Sequence, residues 1–218
     1  MVKCEKSPIP PESLAIEKQK GRNGSYKKPD VVEQLAKDFS NKCYICELKD
    51  ISDPQVEHLV PHHNGRDIDD MFDWDNLFFS CPHCNGLKNK QEYEGKIIDC
   101  CKDDPEVHLH CLYDKGNVSI HNKDEDEKSV LTAKLVDKAF NASNSGIRIY
   151  ASQHRMDKLQ HEISLFFDTL SKYQKLPSEG LRNRMRLLLS RKSAFASFKR
   201  DYIRDNLEKY ENLLVFLQ

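Results

Sequence analysis

Apolar and polar positions change their rhythm three times along this chain. Residues 1–28 show little periodicity and are rich in Pro, Lys and Gly, which predicts an extended arm. "PDVVEQLAKDF" then places Val31, Val32, Leu35 and Phe39 on one helical face, with Asp30 as the expected cap and Glu33 at the capping-box position. From residue 40 to 90 turn formers, Cys and His dominate. Only "VEHLV" and "NLFF" are apolar enough for short strands, and a helix is expected from Pro82 past Lys88. "EVHLHCLY" and "NVSIH", joined by Asp-Lys-Gly-Asn, predict a β-hairpin. After Ser129 the pattern turns helical. Met156, Leu159, Ile163, Phe166, Leu170 and Tyr173 recur at spacings of three and four, Pro177 ends that run, and two further helical segments follow.

The expected fold is therefore α+β and mainly helical. Three regions are expected: 1–40 as arm and helix, 41–125 as a core with the following hairpin, and 126–218 as a helical extension.

Composition narrows the class. Charged residues make up 32% and apolar residues 38% of 218, no run approaches a membrane span, and the start lacks a secretory signal. A cytoplasmic protein is expected. The net charge of −1 conceals an asymmetry. Eleven Lys/Arg face four Asp/Glu between Lys172 and Lys209, whereas nine acids crowd residues 99–127. The basic end suits phosphates and the acidic middle would repel them.

Eight cysteines in a reducing compartment point to metal when they come in close pairs. Cys43-Tyr-Ile-Cys46 and Cys81-Pro-His-Cys84 are two such pairs, separated by 34 residues. Thiolates at i and i+3 of a tight knuckle supply two ligands each, so a structural Cys4 zinc site is expected, and so polar a segment needs the metal to hold its fold. Cys100, Cys101, His108, His110 and Cys111 are a weaker set, more in keeping with ordinary hairpin residues than with a second metal. His83 is expected to point outward, and Cys4 to be a buried or free thiol.

Between the pairs lies candidate chemistry. Glu57 and His58 are adjacent at a strand end, and Asn85 opens the helix behind the second pair. Glu57 and Asn85 would offer oxygen ligands to one hard divalent cation, Mg²⁺ or Mn²⁺, and His58 would take a proton from water. His62 and His63 read as an exposed loop pair, Trp74 as a residue packed under the loop, and the acids at 67–70 as solvated. Arg182, Arg184 and Arg186 lie in the basic run "LRNRMRLLLSRK", which suits either a nucleic-acid backbone or the solvated face of a docking helix.

The segment C-x-x-C-E…E-H-x-x-P…W-x-N-L-x-x-x-C-x-x-C-N-x-x-K resembles the HNH endonucleases, whose ββα-metal core is held by zinc. The resemblance implies that Glu57 is the metal-binding acid, His58 the general base, and Asn76 the residue that fixes the loop and orients the base. Asn85 takes the last ligand position and Lys88 that of a basic residue able to reach phosphate. "KSPIPPESL", "GSY", "DCCKDDPEVHLHCLYDKG", "LVDKAFNASNSGIR" and "SAFASFKRDYI" extend the similarity, more loosely, to the nuclease subunits of Septu-type anti-phage systems, also found beside some retrons. Those subunits imply a partner, an ABC-type ATPase encoded alongside. DNA is the default substrate, with RNA such as tRNA a second possibility. A zinc ribbon that binds nucleic acid or protein without cutting needs the four Cys but not Glu57, His58 or Asn76.

Overall fold

The computed structural model describes residues 1–217. Helix α1 (Glu12–Lys18) interrupts what its composition marks as an extended arm. Helix α2 (Pro29–Asp38) follows, entered through Pro29, whose fixed φ suits a first helical turn. Asp30 does not cap it. Its carboxylate takes the backbone N–H of Ser13 (3.2 Å) and the Ser13 hydroxyl (2.7 Å), and so ties α1 to α2. The expected cap is overridden because a proline at the first position leaves one fewer N–H to satisfy.

Strands β1 (Gln55–His58) and β2 (Leu77–Ser80) pair antiparallel, with Glu57 opposite Phe78 and His58 opposite Leu77. Helix α3 (Ile68–Phe72) lies in the connection between them, in place of the solvated loop expected there. Helix α4 (Pro82–Lys88) starts where β2 ends, its first turn closed by the Cys81 sulfur accepting from the Cys84 N–H at 3.4 Å. The result is a strand pair with one helix across it.

Helix α5 (Pro105–His108) takes up the first residues expected in a strand, because Asp104 caps it and Pro105 opens it. Strands β3 (Leu109–Asp114) and β4 (Asn117–Asn122) then form the hairpin. Lys115 and Gly116 turn it at φ +47° and +87°, the left-handed pair that a two-residue turn needs.

Helices α6 (Glu127–Asn141), α7 (Gly146–Lys175), α8 (Glu179–Leu189), α9 (Ala196–Asp205) and α10 (Leu207–Tyr210) complete the fold. The apolar stripe of α7 serves two cores. Leu159 and Ile163 belong to a large cluster that takes in the strands, α2, α4 and α6, while Phe166 and Leu170 pack with Met185, Leu189, Ile203 and Leu213. No helix among the described residues is long and apolar enough to cross a membrane.

One buried residue ties the halves together. Glu47, directly after the first cysteine pair, accepts from the N–H of Ala196 (2.9 Å) and from the Ser197 hydroxyl, and so caps α9 from about 150 positions away. A carboxylate on a helix N-terminus gains from both the free N–H groups and the helix dipole.

Candidate active site

The zinc knuckles frame the site. Backbone bonds from Glu47 N to Cys43 O and from Cys43 N to Leu48 O, both 2.9 Å, fold the first pair into a tight turn, and the second pair sits on the entry to α4. The four sulfurs lie within 4.8 Å of one another, all buried. A tetrahedral zinc at about 2.3 Å from each sulfur sets neighbouring sulfurs roughly 3.8 Å apart. Cys46 and Cys81 sulfurs are 3.9 Å apart, so the donor set fits. The Arg155 guanidinium, buried on α7, donates to the Cys81 sulfur at 2.9 Å and supplies a counter-charge to the thiolates.

That clamp fixes the Cys43–Cys46 turn to the start of α4, and α4 packs on β1. Between them opens a cavity of about 340 Å³ whose lining includes Glu57, His58, His62, Asn85, Lys88 and Tyr26. The first turn of α4, closed by Asn85 N donating to Cys81 O at 3.0 Å, carries Asn85 to the cavity directly from the zinc ligand.

His58 is held on three sides. Its Nε2 lies 3.1 Å from the Met71 carbonyl oxygen, which can only accept, so the proton sits on Nε2 and the Nδ1 lone pair is left free. The ring meets Tyr26 edge-on with centroids 4.5 Å apart, and His62 at the same distance. Burial outweighs the pull of the carbonyl and depresses the imidazole to about 4, so it is a neutral base at pH 7.

Asn76 lies behind the cavity wall. Its side-chain oxygen accepts from Val60 N (2.7 Å), and its amide donates to Val60 O (2.8 Å) and Asp70 O (2.9 Å). The loop after His58 is thereby pinned to the turn before Met71, the residue that holds the imidazole.

Glu57 is 6% exposed. Tyr44 donates its hydroxyl to one carboxylate oxygen and the Lys88 ammonium pairs with the other, each at 2.6 Å. Lys88 also donates to the carbonyls of His58 (2.5 Å) and Leu59 (2.9 Å). Three acceptors for three N–H groups leave this ammonium, 5% exposed, turned into the interior rather than free for a phosphate. Sequence spacing locates Lys88 but not its burial, which comes from α4 packing across β1.

Arg182, Arg184 and Arg186 are not at this cavity. Arg182 and Arg186 flank the Phe216 ring at 5.8 and 5.7 Å, and Arg184 Nε donates to Thr169 Oγ1 at 3.2 Å. His83 is buried rather than outward, with Arg148 donating to its carbonyl at 2.8 Å. His108 pairs with Asp124 and His110 with Asp205, and among the described residues the only group of three or more Cys, His, Asp or Glu placed to hold a metal is the four cysteines. Trp74 packs under the loop, its indole N–H on Ser7 O at 2.9 Å.

The comparison with protein families meets this geometry at the same residues. The HNH endonuclease family matches residues 43–91, from the first zinc cysteine to just beyond α4. Residues 43–91 form an HNH endonuclease domain. The domain is a nuclease module, of a class that hydrolyses phosphodiester bonds. Septu protein PtuB from Bacillus thuringiensis is 30% identical over 101 residues, 43% of this chain and 38% of that protein, so the chain spans well under half of the curated relative it matches. No solved structure matches the chain significantly.

Tyr26, His62 and His63 are among the cavity residues that sequence reasoning missed or set aside. Tyr26 lies 17 residues before Cys43 and reaches the HNH domain only because α1 and α2 wrap it. The "HH" after Pro61 did mark His62, and its Nδ1, accepting from Gly65 N at 2.9 Å, turns that ring inward.

Proposed function

We propose that this protein is a metal-dependent endonuclease that hydrolyses phosphodiester bonds of DNA, and that it serves as the nuclease subunit of an anti-phage complex with an ABC-type ATPase. The observation that carries the catalytic reading is the His58 imidazole. Its Nε2 is taken up by the Met71 carbonyl, and its ring lines the cavity shared with Glu57 and Asn85. The matched domain and the likeness to Septu protein PtuB support the biological setting.

In this mechanism His58 Nδ1 accepts a proton from water, whose oxygen attacks phosphorus as the P–O bond to the leaving oxygen breaks. Asn76 keeps the imidazole aligned through the loop it pins. Glu57 and Asn85 would hold Mg²⁺ or Mn²⁺, since a carboxylate and an amide oxygen suit a hard cation. Such a cation, when bound, neutralises charge on the scissile phosphate and the leaving oxygen. Lys88 positions Glu57 from behind. Because the nucleophile is external water, the chemistry does not need a 2′-hydroxyl.

The test is cleavage of supercoiled plasmid and of total tRNA with Mg²⁺ or Mn²⁺, by the parent and by His58→Ala, each alone and with an ATPase if one is encoded beside it. The expected result is metal-dependent plasmid cutting that falls by roughly 10²- to 10⁴-fold in the variant. Equal cutting by His58→Ala would remove the mechanism, and cutting of tRNA alone would move the substrate to RNA. No cutting under any condition would favour a zinc-ribbon binding module.

A further inference from the structure

A second cavity lies apart from the catalytic one. It is a groove of about 750 Å³ between the N-terminal segment, the end of α2 and the α8–α9 turn, lined by Lys3, Lys37, Arg182, Arg186 and Lys192 over the edge of Phe216. Arg182 and Arg186 also line a further cavity, of about 410 Å³, on their far side beside Tyr173 and Asn183, so the basic surface continues past them.

Charge balance sets this groove apart. Deeper in the same wall Arg191 and Arg200 are paired with Asp104 and Glu106. Among the described residues, none of the five rim cations has a carboxylate within ion-pair distance. Of the two acids in the lining, Glu5 is exposed, and Asp38 is engaged by Ser7 N at 2.8 Å and Gln34 Nε2 at 2.7 Å. Five cations against two carboxylates leave the lining net positive, a field that suits a polyanion.

The groove and the catalytic cavity lie at the two ends of one helix. Tyr26 and Lys27, just before α2, line the catalytic cavity, and Lys37 and Asp38, its last residues, line the groove. Ten helical residues span about 15 Å, or four to five steps of a nucleic-acid strand at about 3.4 Å each.

We propose that this groove is a second nucleic-acid site, which grips the phosphate backbone four to five nucleotides from the scissile phosphate without reading sequence. It rests on the nuclease reading, because it assigns the grip to the same substrate. Contacts of this kind are made by point charges to phosphates, so each one adds about one unit to the salt dependence of binding.

The test measures binding rather than cleavage, in a His58→Ala background, with a labelled DNA duplex of about 30 base pairs titrated by anisotropy at several salt concentrations. Arg182→Gln/Arg186→Gln should lower the slope of log Kd against log salt by about two, and so should Lys37→Gln/Lys192→Gln, whose side chains are exposed. Arg184→Gln, on the opposite face of α8, should leave the slope unchanged. Parental slopes in both double variants overturn the proposal. Parental slopes together with lost association to the ATPase would make the groove a protein-docking face and overturn it equally. Because no cleavage is scored, intact binding alongside an inert parent would count against the nuclease reading alone.

Discussion

Two buried glutamates in this chain show how one side chain serves two ends. Glu106, also 6% exposed, faces three guanidinium groups. Arg200 grips it through Nε (2.6 Å) and Nη2 (3.0 Å), Arg191 adds Nε at 2.9 Å, and Arg204 adds Nη2 at 2.8 Å. Glu57 has one ammonium and one phenol. Burial pushes both carboxyls up. At Glu106 Arg200 and Arg204 more than reverse that push and hold it below the ordinary range, whereas at Glu57 Lys88 and Tyr44 recover only part of it and the group stays above. Glu106, on α5 against α9, is an electrostatic rivet. Glu57, on the wall of a polar cavity, is the less compensated of the two carboxylates, which supports the cation-ligand role proposed for it.

The comparison breaks most easily at Glu106. Glu106→Ala leaves Arg200, which is 1% exposed, buried without its partner and should cost about 3–5 kcal/mol of stability, read by chemical denaturation. The cost should depend on pH. The folded carboxyl lies below its unfolded value of 4.5, so its contribution is fully present above that value and fades as pH falls through the folded one. Parent and variant should therefore differ most near neutrality and converge in acid. A gap that stays constant from pH 7 into acid would mean that the arginines are not what stabilises the parent.

Glu57→Gln should reverse the pattern. It keeps the shape and an acceptor for Lys88, with the new amide N–H facing the Tyr44 oxygen, but removes the charge. Cleavage should fall by about a hundredfold, near 2.7 kcal/mol of activation energy, while the denaturation midpoint moves far less than in Glu106→Ala. Equal cleavage by Glu57→Gln and the parent would place the cation elsewhere.

Much of this was legible before folding. Cys43, Cys46, Cys81 and Cys84 announce themselves by spacing, and both strands of the HNH domain and the hairpin turn at Lys115–Gly116 follow from local pattern. What stayed hidden depends on distant partners. Glu47 finds its helix about 150 residues away, Arg155 reaches Cys81 across 74, and Glu106 meets Arg200 across 94. No window of sequence holds both members of such a pair. Lys88 shows the same limit at close range, since its position follows from the motif, but the direction of its ammonium is set by the carbonyls of His58 and Leu59.

Asn76 sharpens the contrast by removing charge from it altogether. The Glu106 network is ionic, whereas Asn76 is neutral and satisfies three backbone groups, two on Val60 in the loop after β1 and one on Asp70 in α3. Asn76→Ala would leave Val60 N, Val60 O and Asp70 O to compete for water in a site where Asn76 itself is 6% exposed. That should cost about 1–3 kcal/mol, less than the loss of a charged partner, because no ion is stranded. Its effect on function should still exceed that of Glu106→Ala. With the loop free, Met71 O no longer stands in place to hold Nε2, and the imidazole can rotate away from the cavity. Cleavage per folded molecule should therefore drop in Asn76→Ala and stay near parental in Glu106→Ala, measured on the same plasmid at a temperature where both remain folded. If both variants lose activity in proportion to lost stability, the two networks are one structural system, and the division drawn between them disappears.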